Sequence, residues 1–272
     1  MKRNLVIFAL LFVCVAIGAQ TVFKNEEVEV SLLKEKTWVF ETWDHTTMYL
    51  IEGEEKAALI DTGTRCEGLD KIVKQISQKP LEVIVTHMHP DHAGCIRYFD
   101  KVWMHRADSV LVPQNAADYK GELLYMEEGQ VFDLGGRKLE VVWMPGHTPG
   151  SVVLLDKING DCYSGDAFGS GEVCLQCVPL SPIATFHQSC CRMEKIMKDE
   201  HIKDIWCGHY PYLKSSLPLS YIQTMIRISR RLMNGDQEGS VPYSNYFIKM
   251  PPTARKLSEG RAMIVYDSTN IP

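Results

Sequence analysis

The segment from Thr86 to Gly94 contains four side chains that bind divalent metals well, and it reads Thr-His-Met-His-Pro-Asp-His-Ala-Gly. His87 and His89 stand two positions apart, and alternate residues of an extended segment point to the same side, so their imidazoles can share one ion. The adjacent Asp91 and His92 can turn toward a second ion. Five of the nine histidines of the chain lie here or in two later Gly-His pairs, a concentration that argues against a chance polar loop.

Three further polar side chains follow runs that look like β-strands. His147 lies in a loop rich in glycine and proline, Asp166 follows Tyr-Ser-Gly, and His209 follows Trp-Cys-Gly. Loops at strand ends are where rigid scaffolds display reactive groups, and glycine lets the backbone approach a bound ion closely. Each motif alone is a weak signal. Together with the segment from Thr86 to Gly94, and in this order, they strongly predict a metal site.

The elements that must position these side chains fall into two strand-rich halves, each followed by helices. Apolar runs of strand type alternate with turn residues, and three segments have helical spacing. Such a pattern is typical of an α/β protein in which two sheets pack face to face with helices outside. The predicted strands are Glu27–Val30, Thr37–Thr42, Thr47–Ile51, Ala57–Ile60, Leu81–Val85, Val131–Asp133, Lys138–Val142, Val152–Leu155, Cys162–Ser164, Ile202–Trp206 and Ala262–Tyr266, and the predicted helices are Glu67–Ile76, Ile183–Lys198 and Leu219–Met233, with a short one between Pro90 and Gly94.

The first 19 residues differ from the rest of the chain. Lys2 and Arg3 precede an unbroken apolar run from Leu5 to Ile17, which is followed by the small residues Gly18 and Ala19. This pattern predicts a signal peptide over residues 1–19 and export to the periplasm or the medium. The run is too short to span a bilayer comfortably, so we expect no stable membrane span, and a permanent N-terminal or lipid anchor is the alternative.

Length and composition predict one globular domain over residues 20–272. The chain has 272 residues, of which 45% are hydrophobic and 23% are charged, and no repeat or long linker divides it. Loss of Lys2 and Arg3 with the signal peptide changes the formal net charge from −5 to −7. An acidic chain without a basic run is a poor nucleic-acid binder, so the expected partner is a small-molecule substrate. We interpret Arg227, Arg230 and Arg231 as the solvated face of an amphipathic helix.

The chain has nine cysteines, and all except Cys14 follow the predicted signal peptide. Cys174 and Cys177 form a Cys-x-x-Cys pair, and Cys190 and Cys191 are neighbours. Ordinary buried or loop thiols, a loop disulfide and a separate metal site are three interpretations that the spacing leaves open.

The ordered set of motifs resembles the metallo-β-lactamase-fold hydrolase superfamily over about Glu27 to Tyr210. The resemblance implies an αββα sandwich of two mixed β-sheets with helices on the outer faces and metals at one edge. It also implies a metal-ligand set: His87, His89 and His147 for the first ion, Asp91, His92 and His209 for the second, and Asp166 as the bridge. Asp61, in Ile-Asp-Thr-Gly, matches another family motif beside the metals. We interpret Asp61 as orienting a ligand histidine, with a simple turn-forming role as the alternative.

The ligand set that the resemblance implies consists of five imidazoles and two carboxylates without a thiolate. This set suits two divalent ions, which we expect to be Zn2+, with iron or manganese as alternatives. Such a pair holds a hydroxide that attacks a carbonyl carbon. Asp91 is the expected catalytic residue, because it can orient this hydroxide and later pass its proton to the leaving group.

A bridging Asp166 points away from true β-lactamases of this fold and toward branches resembling glyoxalase II, the acyl-homoserine lactonases and other binuclear esterases and thioesterases. We therefore expect an exported hydrolase of a carboxylic ester, thioester or lactone. A phosphodiester or sulfate-ester hydrolase, a β-lactamase-like enzyme and a non-enzymatic binding protein are the alternatives. Phe168, Tyr210 and Tyr212 follow closely after ligands, so we expect them to line the substrate pocket. Trp43 and His45 are further pocket candidates.

Overall fold

The first half of the chain forms an eight-stranded sheet whose strands lie side by side in sequence order. Neighbours from the first to the fifth strand are antiparallel, and those from the fifth to the eighth are parallel. The strands are β1 (Thr21–Lys24), β2 (Val28–Lys34), β3 (Thr37–Thr42), β4 (Thr47–Glu52), β5 (Ala57–Ile60), β6 (Leu81–Ile84), β7 (Lys101–His105) and β8 (Glu122–Met126).

The second half forms a five-stranded sheet and a smaller four-stranded sheet, in the orders β14-β12-β11-β10-β9 and β13-β17-β16-β15. These strands are β9 (Val131–Asp133), β10 (Lys138–Trp143), β11 (Val152–Asp156), β12 (Asp161–Gly165), β13 (Glu172–Cys174), β14 (Asp204–Cys207), β15 (Val241–Pro242), β16 (Ala254–Glu259) and β17 (Ala262–Asp267). The α-helices are α1 (Leu69–Ile76), α2 (Pro90–Ala93), α3 (Val112–Asn115), α4 (Ile183–Asp199), α5 (Tyr210–Leu213) and α6 (Leu219–Met233).

This description rests on a computed structural model, which describes residues 20–169, 172–175, 182–245 and 250–271. The predicted signal peptide and Cys177 lie outside these residues. Within them, no helix combines the length and the apolar character needed to cross a bilayer.

Apolar side chains on both faces of each large sheet produce the layers. In β4, Met48 and Leu50 point to the core under α1, whereas Tyr49 and Ile51 point to the core between the two large sheets. Strand β11 alternates in the same way between that central core and the core under α4 and α6. Two sheets with a shared core and helices on both outer faces form an αββα sandwich, which confirms the predicted fold.

Most predicted elements match the structure within one to three residues at each end. The bounds of β3, β5, β9 and α6 agree with the prediction, and the hairpin turn at Gly135–Gly136 is present, with positive φ at both glycines. The prediction missed β1, β7, β8, β13, β15 and β16, and also the short helices α3 and α5. Strand β7 pairs in parallel on both sides, and β13 joins a sheet that assembles from distant segments, so local pattern alone did not reveal them.

Candidate metal centre

The side chains with potential metal chemistry follow the ends of strands in the two large sheets. Asp61 comes directly after β5, Asp166 directly after β12, and His209 two residues after β14. The segment that begins at His87 follows β6, and His147 lies in the loop between β10 and β11. The parallel pairs β5–β6 and β12–β14 bring their ends to the same edge of each sheet.

His87, His89 and His147 form the first group, and their ligand atoms lie within 4.8 Å of one another. His89 Nδ1 and His147 Nε2 are 2.9 Å apart. The three rings meet edge to face, with centroids between 4.6 and 4.8 Å apart. Three imidazoles converging on one point match the ligand geometry of a zinc ion in a protein.

Asp91, His92, Asp166 and His209 form the second group, again with ligand atoms within 4.8 Å of one another. Asp91 and His92 lie on the first turn of α2, which Pro90 begins. The His209 Nε2 atom is 3.5 Å from Asp91 Oδ2 and 3.4 Å from Asp166 Oδ2. The mixed imidazole and carboxylate set can hold a second divalent cation.

Asp166 faces both groups. Its Oδ2 atom is 3.8 Å from His147 Nε2 and 3.4 Å from His209 Nε2, while Oδ1 is 3.5 Å from His92 Nε2. A carboxylate placed between two imidazole groups in this way can bridge two cations.

Asp61 orients histidines of both groups. Its Oδ2 atom accepts a hydrogen bond from His92 Nδ1 at 2.8 Å, and its carboxylate also accepts from the Thr86 backbone and hydroxyl. Because the Thr86 hydroxyl donates to Asp61, it accepts from His87 Nδ1 at 3.1 Å. Both imidazoles therefore present Nε2 to the centre, which is the state that a metal requires.

His147 takes its orientation from the third sheet. His147 Nδ1 donates to the backbone carbonyl of Cys174, the last residue of β13, at 2.9 Å. The Nε2 atom of His147 is thereby left with a lone pair facing the first group. Strand β13 is thus part of the support of the centre, a role that the sequence analysis did not predict.

Burial keeps His87 and His89 of the first group neutral. It lowers the pKa of His87 well below its usual range. Burial, reinforced by the neighbouring His147, lowers the pKa of His89 to about 3. Neutral imidazoles are the form that binds metal.

Charge pairing dominates the second group. Burial by itself would lower the pKa of His209. The negative charge of the neighbouring Asp166 carboxylate acts in the opposite direction, and the resulting pKa is raised to about 10. The pKa of His92 also rises, because Asp91 and Asp166 outweigh its burial. Burial acts in the opposite direction on Asp91, yet His92 and His209 hold its pKa below the usual range, so Asp91 is ionised at neutral pH.

Buried polar atoms without partners test whether cations fit this site. His87 Nε2, His92 Nε2 and Asp166 Oδ1 are buried and accept or donate no hydrogen bond among the described residues. Leaving a buried polar atom unpaired costs about 1–3 kcal/mol. Coordination to a cation would satisfy each of them, so the donor set fits two divalent metals.

Two glycines, at the end of β12 and just after β14, allow the backbone to lie close to residues of the centre. A Cβ atom on Gly208 would lie 2.4 Å from Asp166 Oδ1 and 2.5 Å from His92 Cε1. A Cβ atom on Gly165 would lie 2.0 Å from Thr86 Oγ1. We expected these glycines to let the backbone approach a bound ion, whereas Gly208 makes room for two ligand side chains and Gly165 for Thr86, which orients His87.

Asp108 supports two of the ligand loops and was missed by the sequence analysis. Its buried carboxylate accepts from the backbone of Met88 at 2.9 Å, from the backbone of Gly150 at 2.6 Å and from the hydroxyl of Thr148 at 2.9 Å. Met88 lies between two histidines of the first group, and Thr148 follows the third. The available signal was the position of Asp108 just after a strand, and β7 itself was not predicted.

The predicted pocket residues divide into two sets. Phe168 is 0% exposed and packs in the core under α4 and α6, so the expectation that it lines the pocket is wrong. Tyr212 is 60% exposed, and its ring lies 6.0 Å from that of His209 and 5.4 Å from that of His45. Tyr210 is half-buried against Trp206, with ring centroids 5.6 Å apart. Tyr212 and His45 therefore form an accessible aromatic wall beside the second group.

The sandwich and its edge cluster of histidines and aspartates define a class of metal-binding α/β hydrolases. A family model described as the metallo-beta-lactamase superfamily matches residues 42–175. This match confirms the resemblance to that superfamily.

Relatives with described activities match much of the chain. The human acyl-coenzyme A thioesterase MBLAC2 is 26% identical over 210 residues, which cover 63% of this chain and 75% of the human protein. The hydroxyacylglutathione hydrolase GloC of Haemophilus influenzae is 24% identical over 139 residues, 45% of this chain and 66% of that enzyme. A metallo-beta-lactamase from Pontibacter korlensis superposes with a TM-score of 0.61 at 18% identity, covering 75% of this chain and 99% of its own. That last similarity shows the fold alone.

Proposed function

We propose that the chain is a binuclear metal-dependent hydrolase of carboxylic esters, thioesters or lactones, and that thioesters are the favoured class. The observation that carries this proposal is the position of Asp166, whose Oδ2 atom faces His147 of one group and His209 of the other. In this arrangement His87, His89 and His147 would hold one cation, Asp91, His92 and His209 would hold the other, and Asp166 would be a ligand shared by both. The five imidazoles of this set suit zinc, with iron or manganese as alternatives.

Two divalent cations at these positions supply Lewis acidity, which polarises a carbonyl and lowers the pKa of a water molecule. The protein contributes fixed ligands, because hydrogen bonds to Asp61, Thr86 and the Cys174 carbonyl hold three of the imidazoles in one tautomer. Ligands held in this way cost little reorganisation when charge develops on the substrate oxygen.

Asp91 is the residue that we assign to proton transfer. It is ionised, its side chain is 35% exposed, and its Oδ2 atom lies 3.5 Å from His209 Nε2. A carboxylate at the open side of the centre can accept a proton from a water molecule and return it to a departing thiol or alcohol.

The placement of the arginine and lysine side chains favours a carbonyl substrate over a phosphodiester. A phosphodiester keeps a negative charge, and its binding normally uses arginine or lysine near the metals. Three cations that lie near the ligands in sequence are engaged elsewhere: Arg65 pairs with Glu27, Arg97 with Glu67, and Lys101 with Glu122. The described surface beside the second group is instead aromatic, with Tyr212 and His45 in edge contact.

The relatives support an acyl substrate. One is named as an acyl-coenzyme A thioesterase and another as a hydroxyacylglutathione hydrolase, and both names fit attack on an acyl carbonyl.

A side-by-side assay of metal-loaded protein tests the proposal. We expect specificity constants for acyl thioesters and aryl esters to exceed that for bis-nitrophenyl phosphate by at least about tenfold, or about 1.4 kcal/mol of transition-state preference. A nitrocefin-type β-lactam and an aryl sulfate complete the panel. A preference for the phosphodiester, the sulfate or the lactam would overturn the substrate class, and no turnover of any member by protein with bound metal would overturn the enzymatic assignment.

We also propose that residues 1–19 are a signal peptide and that residues 20–272 form one exported hydrolase domain. The charged start and the apolar run of the leader support this proposal. The mass of the protein recovered from a secreting host provides the test. A mature chain that begins near Gln20 is expected, and an intact Met1 in the cytoplasmic fraction would contradict export.

A further inference from the structure

A second group of chemically competent side chains lies between α4 and α6. Cys191 Sγ is 3.5 Å from His187 Nε2, and these two residues stand one helical turn apart on α4. On α6, Ser229 Oγ is 2.9 Å from His187 Nδ1. None of the three belongs to the two groups of the metal centre.

The direction of the hydrogen bonds shows which nitrogen of the His187 imidazole carries the proton. The hydroxyl of Ser229 donates its single proton within α6, where the Met225 carbonyl lies at 2.7 Å. Ser229 Oγ must then accept from His187 Nδ1–H, which leaves Nε2 as an acceptor. This acceptor faces the thiol of Cys191, so His187 is placed to take the thiol proton.

The surroundings keep His187 in the state that can accept a proton. Burial and the positive charge of Arg230 both lower the pKa of His187, which keeps the imidazole neutral. Because Arg230 acts on this imidazole, its charge would also attract a thiolate formed at the neighbouring sulfur. Cys191 and His187 are half-buried, so small molecules can reach them.

The fully buried thiols among the described residues offer a contrast. Cys66, Cys95, Cys162, Cys190 and Cys207 are free and fully buried, and burial raises the pKa of each. Buried thiols without a base or a cation remain protonated and are poor nucleophiles. Cys191 differs from its direct neighbour Cys190 in both exposure and partner.

We propose that Cys191, His187 and Ser229 form a nucleophilic thiol site that reacts with small disulfides. The geometry is that of an activated nucleophile: a thiol within hydrogen-bond reach of a base, and the base oriented by a third group. This site is independent of the hydrolytic function proposed for the metal centre.

The reaction is a thiol–disulfide exchange. The Cys191 Sγ–H proton moves to His187 Nε2, and the thiolate attacks one sulfur of the small disulfide. A new S–S bond forms to Cys191 as the old S–S bond breaks. The departing thiolate takes the proton from His187, so the products are a mixed disulfide on Cys191 and one small thiol.

Labelling of the pre-reduced, full-length protein tests the site. The probes are dithiobis-nitrobenzoate, whose released thiolate is coloured, and oxidised glutathione, with peptide mass mapping to locate the adduct. We expect Cys191 to be the first thiol modified, and His187→Gln to slow its modification by at least about tenfold. Ser229→Ala should slow it as well, because the imidazole then loses its orienting acceptor.

Matched variants separate the role of charge from general effects on the helix. Arg230→Gln should slow labelling, whereas Arg227→Gln, one turn earlier on α6 and paired with Glu259, should not. Cys191→Ser should abolish the fast phase and leave hydrolysis unchanged. Modification of another cysteine first, or an unchanged Cys191 rate in a folded His187→Gln protein, would overturn the proposal.

Discussion

Asp61 Oδ2 lies 2.8 Å from His92 Nδ1, and both side chains are buried. Asp61 holds this position with a backbone φ of +62°, a conformation that few residue types other than glycine adopt readily. The same carboxylate accepts from Thr86, whose hydroxyl accepts from His87. One aspartate therefore orients a histidine in each of the two groups.

The first prediction concerns Asp61→Asn. Asparagine tolerates positive φ, so the change removes the charge and one acceptor without adding backbone strain. We expect metal affinity to fall by about 10–100-fold, since that is the usual effect of losing a group that orients a ligand. Competition with a chelator measures the affinity, and an unchanged affinity would show that His92 is oriented by other contacts.

A second prediction concerns Gly208→Ala. The added Cβ would displace Asp166 and His92, which lie 2.4 and 2.5 Å from it. We expect metal binding and turnover to fall together by at least about tenfold, although the β14 strand that precedes Gly208 remains intact. Elemental analysis measures metal content, initial rates measure turnover, and circular dichroism of the metal-free protein checks that the fold is intact. Full metal content in the variant would contradict this packing.

The third prediction concerns Asp91→Asn. An amide cannot accept a proton as a carboxylate does, so we expect turnover to fall by at least about a hundredfold. Initial rates at saturating substrate measure the loss after metal reconstitution. Asp100→Asn, at an exposed position of the same charge, is the control and should retain full activity. Near-normal turnover by Asp91→Asn would move proton transfer to another residue.

Metal stoichiometry provides the fourth prediction. Seven ligand side chains in two groups exceed what one tetrahedral ion uses, so we expect two ions per chain. Asp166→Ala should lower that number, since its carboxylate faces both groups. Plasma emission analysis of dialysed protein counts the ions. One equivalent that is unaffected by Asp166→Ala would disprove the binuclear arrangement.

The fifth prediction concerns the stability of the metal-free protein. The Asp108 carboxylate accepts three hydrogen bonds. In Asp108→Asn, an amide NH2 group replaces one of the two oxygens and would face a backbone N–H, so that hydrogen bond would be lost. We expect a loss of about 1–3 kcal/mol in the free energy of unfolding. Urea titration measures this loss, with exposed Asp118→Asn as the control. Equal stabilities would show that the two ligand loops hold their positions without Asp108.

Local spacing was sufficient to predict much of the fold and the candidate ligands. A short apolar run such as Thr47–Ile51 marks a strand, and the helical spacing of Leu219–Met233 marks α6. The histidine-rich segment after β6 and the Gly-Asp and Gly-His pairs after β12 and β14 are visible in the sequence because ligand chemistry restricts the residue types. Strand β13 escaped prediction because it pairs with β17, about ninety residues later.

The sequence by itself determined the residue types of the centre and the order in which the strands present them. Only the tertiary structure decided which side chains meet: that Asp166 lies between the groups, that the Cys174 carbonyl orients His147, and that Asp108 links two loops. It also decided that Phe168 is core, although it stands two residues after a predicted ligand. The physical reason is that chemistry and local periodicity depend on neighbouring residues, whereas burial and hydrogen-bond partners depend on segments that are distant in sequence and meet only when the sheets pack.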